Sequence, residues 1–298
     1  MFDAHVAYKA RLTPRAVAIA TPAGAVSYAV LDADVNRFAA AYADLGLGRR
    51  EAVVSLSFGD PYLRLVSLLA FARLGVATSP PGDPRADVRL VDGPDDQPGP
   101  PRLLIDKAQA DAILAAEPRP LPALDIDPDS PRRIMLSSGT TAAPRRIAYA
   151  WRRIDLVLRS MLTTYAAGPF RAWIPWTGID SSIGLAIAIA AWGTGGQVAV
   201  GVSTRELPEW LEVLPPTLIG LTPIQLRHLL AALPPGFQPR PQHRPIVAGS
   251  LLPPTLAREA RLRLTPDVQI IYGTTETSLI AHGPAARLDE HPGLVGYV

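Results

Sequence analysis

"LSSGTTAAPRRI", residues 136–147, sets the reading of this chain. Four hydroxyl side chains, Ser137, Ser138, Thr140 and Thr141, surround Gly139, and Arg145 and Arg146 follow Pro144. The apolar run before it, Arg133 to Leu136, reads as a short strand. Gly139 lets the backbone turn with positive φ, and successive N–H groups and hydroxyls at such a turn make a concave anion site to which arginine adds charge. A polyphosphate is the natural guest. A solvated Ser/Thr turn accounts for the same residues as readily. The loop is not a Walker loop, because the spaced glycines and the terminal lysine are missing.

Outward from the loop, helix and strand patterns alternate. Leu31, Val35, Phe38, Tyr42 and Leu45 recur at steps of four and three, so they form one helical face with Ser27 as N-cap and Gly46 as stop. A strand is expected from Ala52, a helix from Pro61 to Leu74 ended by Gly75, and a strand at "VATS". After the loop the pattern gives a helix near Ile154 to Tyr165, a strand at Ala172 to Pro175, an apolar helix ending at Trp192, and the strand "QVAV". Thr222 can cap a helix over Pro223 to Ala232. "PIVAG", a helix from Pro254 to Leu264, and "VQIIYG" complete the run. Such alternation implies βαβ units and mostly parallel sheets, an α/β fold. Residues Pro80 to Pro101, rich in Pro, Gly and Asp, are expected to be an irregular connection.

Composition narrows the chemistry. The 298 residues are 48% hydrophobic, enough for a large core or two adjoining lobes. A net charge of +2 with no basic block argues against nucleic acid. There is no cysteine, which excludes disulfides, thiolate metal sites and a cysteine nucleophile. Lys9 and Lys107 are the lysines, so none follows the hydroxyl loop. The first residues lack the apolar run of a signal peptide, and Ile183 to Trp192 falls short of the roughly 20 residues that cross a bilayer. The expectation is a cytoplasmic protein without a membrane partner.

A second motif, "QIIYGTTETS" at 269–278, also falls at an expected strand end, where open α/β sheets bind ligands. Tyr272 offers a flat face for a base, Thr274 and Thr275 offer hydroxyls, and Glu276 offers a hard oxygen suited to Mg²⁺. A surface turn with Tyr272 in the core is the plainer reading of this motif alone.

Together the two motifs resemble the adenylate-forming superfamily of acyl-CoA synthetases, peptide-synthetase adenylation domains and luciferases. Ser137 to Thr141 with Pro144 match that family's phosphate loop, and Tyr272, Gly273, Thr275 and Glu276 match its Tyr-Gly-x-Thr-Glu segment. "VSYAVLDADVNRFAAAYADLGL", "LVSLLAFARLGVATSPPGDP", "TLIGLTPIQLRHLL", "IVAGSLLPPTLAREARLRL" and "GLVGYV" are also similar to segments of the family in the same order. The resemblance implies two lobes of mostly parallel sheets flanked by helices, as in the family's large N-terminal domain. It implies that Ser137, Ser138, Gly139, Thr140 and Thr141 hold the β- and γ-phosphates of ATP. Tyr272 would stack on adenine opposite Gly249 and Ser250, beside Gly273 and Thr274. Thr275 would contact the α-phosphate and Glu276 would hold Mg²⁺. The acyl group would lie near residues 173–182, with Trp176 and Asp180. The acceptor would be coenzyme A or a carrier-protein thiol.

This chain departs from the family pattern at several points. Ala142 replaces a loop glycine, Arg145 replaces its lysine and keeps a cation there, and Arg146 replaces the next glycine. Ile270 stands where the family has a polar adenine contact. The family's ribose-binding aspartate and its small lid with the catalytic lysine correspond to positions beyond Val298, so a large N-terminal domain without its lid is expected, with slow adenylation at best. Two function classes follow: a ligase, or a degenerate nucleotide- or acyl-binding module serving as a partner surface. A kinase-like phosphotransferase fits less well, for want of a loop lysine or a catalytic aspartate motif. Asp180 has two readings: it pairs with a substrate ammonium, or it caps the helix starting near Ser181.

Overall fold

The computed structural model describes residues 2–96, 98–119, 121–122, 124–125, 127–137, 145–165 and 168–297. The chain divides into two compact units, one of residues 1–19 and 23–156, the other of residues 20–22 and 157–298.

In the first unit, α1 (Phe2–Leu12), β1 (Val17–Thr21) and β2 (Gly24–Ser27) lead into α2 (Tyr28–Asp44), whose N-cap is Ser27. Then come β3 (Val53–Ser57), α3 (Pro61–Leu74), β4 (Ala77–Ser79), β5 (Val88–Val91), β6 (Arg102–Leu104), α4 (Lys107–Ala115), β7 (Pro131–Ser137) and β8 (Arg145–Ala150). Their six-stranded sheet has the order β6-β5-β3-β4-β7-β8. All pairs are parallel except β7 with β8. Helices α2 and α3 pack through the stacked rings of Tyr42 and Phe71, 4.5 Å apart, and the Tyr42 hydroxyl finds Ser67 Oγ at 2.6 Å. That bond satisfies a phenol which burial would otherwise penalise.

Residues 80–101 are not wholly irregular, because β5 lies within them. Four residues between proline-rich flanks are too few to reveal a period. Lys107 opens α4 and pairs on the surface with Asp111, as expected of an ordinary helix end.

Helix α5 (Trp151–Tyr165) runs into the second unit, which holds β9 (Ala172–Pro175), α6 (Ser182–Thr194), β10 (Gln197–Ala199), α7 (Leu207–Val213), β11 (Thr217–Leu221), α8 (Pro223–Ala232), β12 (Arg244–Val247), α9 (Pro254–Arg263), β13 (Gln269–Thr274) and β14 (Ser278–Pro284). Its strands run in the order β14-β13-β12-β11-β9-β10. All are parallel but β14, which returns as a hairpin on β13. Ala20, which this unit takes from β1, accepts the Val200 N–H at 3.0 Å. Helix α6 is buried along nearly all its length, so its apolar run carries no amphipathic stripe. Both units are α/β with mostly parallel sheets. Among the described residues no helix is long and apolar enough to cross a membrane.

Candidate active site

The candidate residues fall in both units, and each group is described within its own. In the first unit, Ser137 ends β7 and its Cα partner across the hairpin is Arg145. Ser138, Gly139, Thr140 and Thr141 lie outside the described residues. The two arginines part company, because successive strand residues point to opposite faces. Arg145 is exposed, whereas Arg146 is mostly enclosed and stands 3.0 Å from the carboxylate of Asp83, whose side chain has no exposed surface. The pair is held by charge rather than by an aligned hydrogen bond, since among the described residues neither Asp83 Oδ2 nor Arg146 Nη2 has a well-directed partner. The other oxygen, Asp83 Oδ1, accepts the Arg85 N–H at 3.2 Å. Arg146, which replaces a loop glycine of the family, thus faces an internal carboxylate, while Arg145 stays exposed.

In the second unit, all candidates stand at or just beyond the carboxyl ends of parallel strands. Strands β12 and β13 pair Val247 with Ile270, and two residues further along each lie Gly249 and Tyr272. Tyr272 is 44% exposed, so it is not a core tyrosine. Ile270, which stands where the family has a polar residue, is buried. Gly249 has φ +93°, a conformation that favours glycine, and a Cβ there would meet the Thr222 methyl at 3.4 Å. Ser250 follows on the exposed side.

The β13–β14 hairpin carries the rest. The register shifts between Tyr272 and Gly273, and a Cβ on Gly273 would fall 2.1 Å from the Ser278 carbonyl oxygen, so only glycine fits this bulge. Thr274 and Thr277 then close the turn reciprocally. The Thr277 N–H donates to Thr274 Oγ1 at 3.1 Å, the Thr274 N–H donates to Thr277 Oγ1 at 3.3 Å, and the two hydroxyls bond at 2.9 Å. Thr275 and Glu276 occupy the apex between them, with Glu276 exposed. Among the described residues no group of three or more His, Cys, Asp or Glu could cage a metal. A lone carboxylate nonetheless suits Mg²⁺, which usually takes one or two carboxylates and completes its shell with substrate phosphates and water.

Trp176 and Asp180 lie in the loop from β9 to α6. The N-cap of α6 is Ser181, whose Oγ accepts the Gly184 N–H at 3.0 Å. The reading of Asp180 as that cap is therefore corrected: the adjacent hydroxyl does the work. Two residues that the sequence reading passed over also shape the region. Thr277 completes the hairpin turn, and Gln225 ties α8 to the Trp176 loop. The capping-box spacing Thr222-x-x-Gln225 was the signal for the second.

The family profile of AMP-binding enzymes matches residues 85–298. The chain belongs to this family. No curated protein sequence matches it significantly. Among solved structures, the crystal structure of VinN superposes with a TM-score of 0.84 at 19% identity, over 99% of this chain and 80% of that one. O-succinylbenzoate coenzyme A synthetase (MenE) from Bacillus subtilis, in complex with AMP, gives 0.83 at 18% identity, over 98% and 79%. ATP-bound MatB from Rhodopseudomonas palustris gives 0.76 at 18%, over 96% and 62%. At these identities the likeness shows the fold.

Proposed function

We propose that this AMP-binding protein activates a carboxylic acid with ATP and Mg²⁺. A carboxylate oxygen of the acid attacks the α-phosphorus, the bond to pyrophosphate breaks, and an acyl-adenylate remains. In the thioester-forming step a thiol, of coenzyme A or a carrier protein, displaces AMP. The observation that carries the reading is the set of strand ends in the second unit: exposed Tyr272 beside Gly249 and Ser250, followed at once by the Thr275–Glu276 apex. In it, Tyr272, Gly273 and Thr274 line the adenine side. Thr275 contacts the α-phosphate, and Glu276 holds Mg²⁺, which supplies charge neutralisation to the phosphates. Ser137 to Thr141 with Arg145 take the β- and γ-phosphates. Such transfers depend chiefly on positioning and on preset charges.

For the acid, we propose one that bears an amine, with Asp180 as the ammonium partner near Trp176. Two findings support this. Ser181, not Asp180, caps α6. Structures of the fold relative VinN hold L-aspartate and 3-methylaspartate. The test is ATP–pyrophosphate exchange with amino acids and their desamino analogues, in wild type and Asp180→Ala, beside calorimetric titration of ATP and AMP. Exchange should be driven by an amino acid, and Asp180→Ala should erase the preference for the amine. Nucleotide binding without exchange for any acid would favour a non-catalytic binding module. A wild type that prefers desamino acids would make the substrate a plain carboxylic acid.

A further inference from the structure

We infer that Gln225 is a positioning residue for acid recognition. Its side-chain amide clamps the Trp176–Ser181 loop to the head of α8. The inference rests on the proposed function and deepens it.

The case begins with how the amide is used. Gln225 Oε1 accepts the Thr222 N–H at 2.8 Å, and Gln225 Nε2 donates to the Trp176 carbonyl oxygen at 2.9 Å. The first partner is a donor and the second an acceptor, so only one orientation of the amide satisfies both. The Gln225 N–H in turn donates to Thr222 Oγ1 at 3.3 Å, completing a capping box. A capping box needs only the acceptor oxygen of residue 225. The nitrogen is surplus to the helix, and it is directed at the loop that carries Trp176 and Asp180.

The loop itself is built from short bonds. The Thr177 N–H reaches Gly220 O on β11 at 3.1 Å, and the Gly178 N–H reaches Pro175 O at 2.8 Å. Ser181 Oγ lies 2.9 Å from Thr177 Oγ1 and 2.8 Å from Gly178 O. These bonds give the loop its internal shape. The Gln225 amide is a side-chain tie between it and α8. The same end of α8 lies near the other candidate subsite, because a Cβ on Gly249 would meet the Thr222 methyl at 3.4 Å and the Ala248 N–H donates to Leu221 O at 3.0 Å. The Thr222–Gln225 box therefore lies between the residues proposed for adenine and those proposed for the acid. A reacting carboxylate must be held within a fraction of an ångström of its target, so a loosened loop should show in the acid's kinetics.

Two substitutions separate the helix from the clamp. Gln225→Glu keeps an oxygen for the Thr222 N–H and removes the donor to Trp176. Gln225→Met removes both. We expect Gln225→Glu to retain the thermal midpoint, to speed amide hydrogen exchange at Thr177 to Ser181, and to raise KM for the acid roughly tenfold with AMP affinity unchanged within about twofold. Gln225→Met should show the same kinetic defect and a lower midpoint. Wild-type exchange at Thr177 to Ser181 in Gln225→Glu, or an unchanged KM for the acid in that variant, overturns the inference. A wild type with no acid-dependent pyrophosphate exchange overturns the proposed function on which it rests, and that outcome is read without any Gln225 variant.

Discussion

The Arg146–Asp83 pair should be asymmetric when dismantled. At 3.0 Å, with an effective dielectric of about 20, the bare attraction is roughly 5–6 kcal/mol. Much of it is offset by the loss of hydration of both charges. The residual cost then depends on which partner is left behind. The Asp83 side chain has no exposed surface, whereas Arg146 keeps 19% of its own. Arg146→Gln strands a carboxylate whose hydrogen-bond donor, among the described residues, is the Arg85 N–H, which should destabilise the first unit by about 3 kcal/mol, the low end of the range for a buried pair. Asp83→Asn keeps the turn acceptor and leaves a guanidinium that still reaches water, so about 1–2 kcal/mol is expected. The double variant should be less damaged than the sum by at least ~1 kcal/mol. Urea unfolding followed by hydrogen exchange of β7 and β8 amides measures all three. Additive losses, or a larger loss for Asp83→Asn than for Arg146→Gln, would refute the reasoning.

Tyr272→Ala should weaken AMP binding about tenfold or more, because base stacking on an aromatic is worth roughly 1–3 kcal/mol, and should change stability little since the ring is exposed; equal affinity by calorimetry would count against the adenine site. His243 is fully buried, accepts the Thr217 N–H at Nδ1 and donates from Nε2 to the Leu211 carbonyl, and burial holds its pKa below the usual imidazole value. The unfolded chain therefore takes the proton first, so this contribution to stability is whole above about pH 6.5 and is lost as pH falls toward the lowered folded value. Urea midpoints at several pH values should fall more steeply with acid in wild type than in His243→Gln, and parallel slopes would refute it.

The elements legible in the sequence are those with chemical punctuation. Helix α3 is bracketed by Asp60, whose carboxylate accepts the Leu63 N–H, by Pro61, and by Gly75 at its end. Helix α8 announces itself through Thr222, Pro223 and Gln225. Strands β5, β8 and β14 lack such marks. They are short or begin with polar residues, and their pairing partners decide them. The cap of α6 shows the limit at single-residue scale: Asp180 and Ser181 are equally apt by type, and the backbone geometry selects one. Arg146 and Asp83 stand far apart in sequence, and no local pattern joins them. In the site, the hairpin motif was readable as a strand end, whereas the amide of Gln225 needed the loop from another strand to give it meaning.

The reciprocal bonding of Thr274 and Thr277 has a consequence for recognition. Bonds within the hairpin itself fix the shape of the Thr275–Glu276 apex. A guest meeting this turn does not have to freeze it. The conformational entropy of those residues, of order 1–2 kcal/mol for each backbone unit ordered, is surrendered during folding rather than at the moment of binding. The turn is preorganised, so a ligand bound there would be spared this ordering cost, leaving the loss of translational and rotational freedom and the desolvation of polar groups to be met.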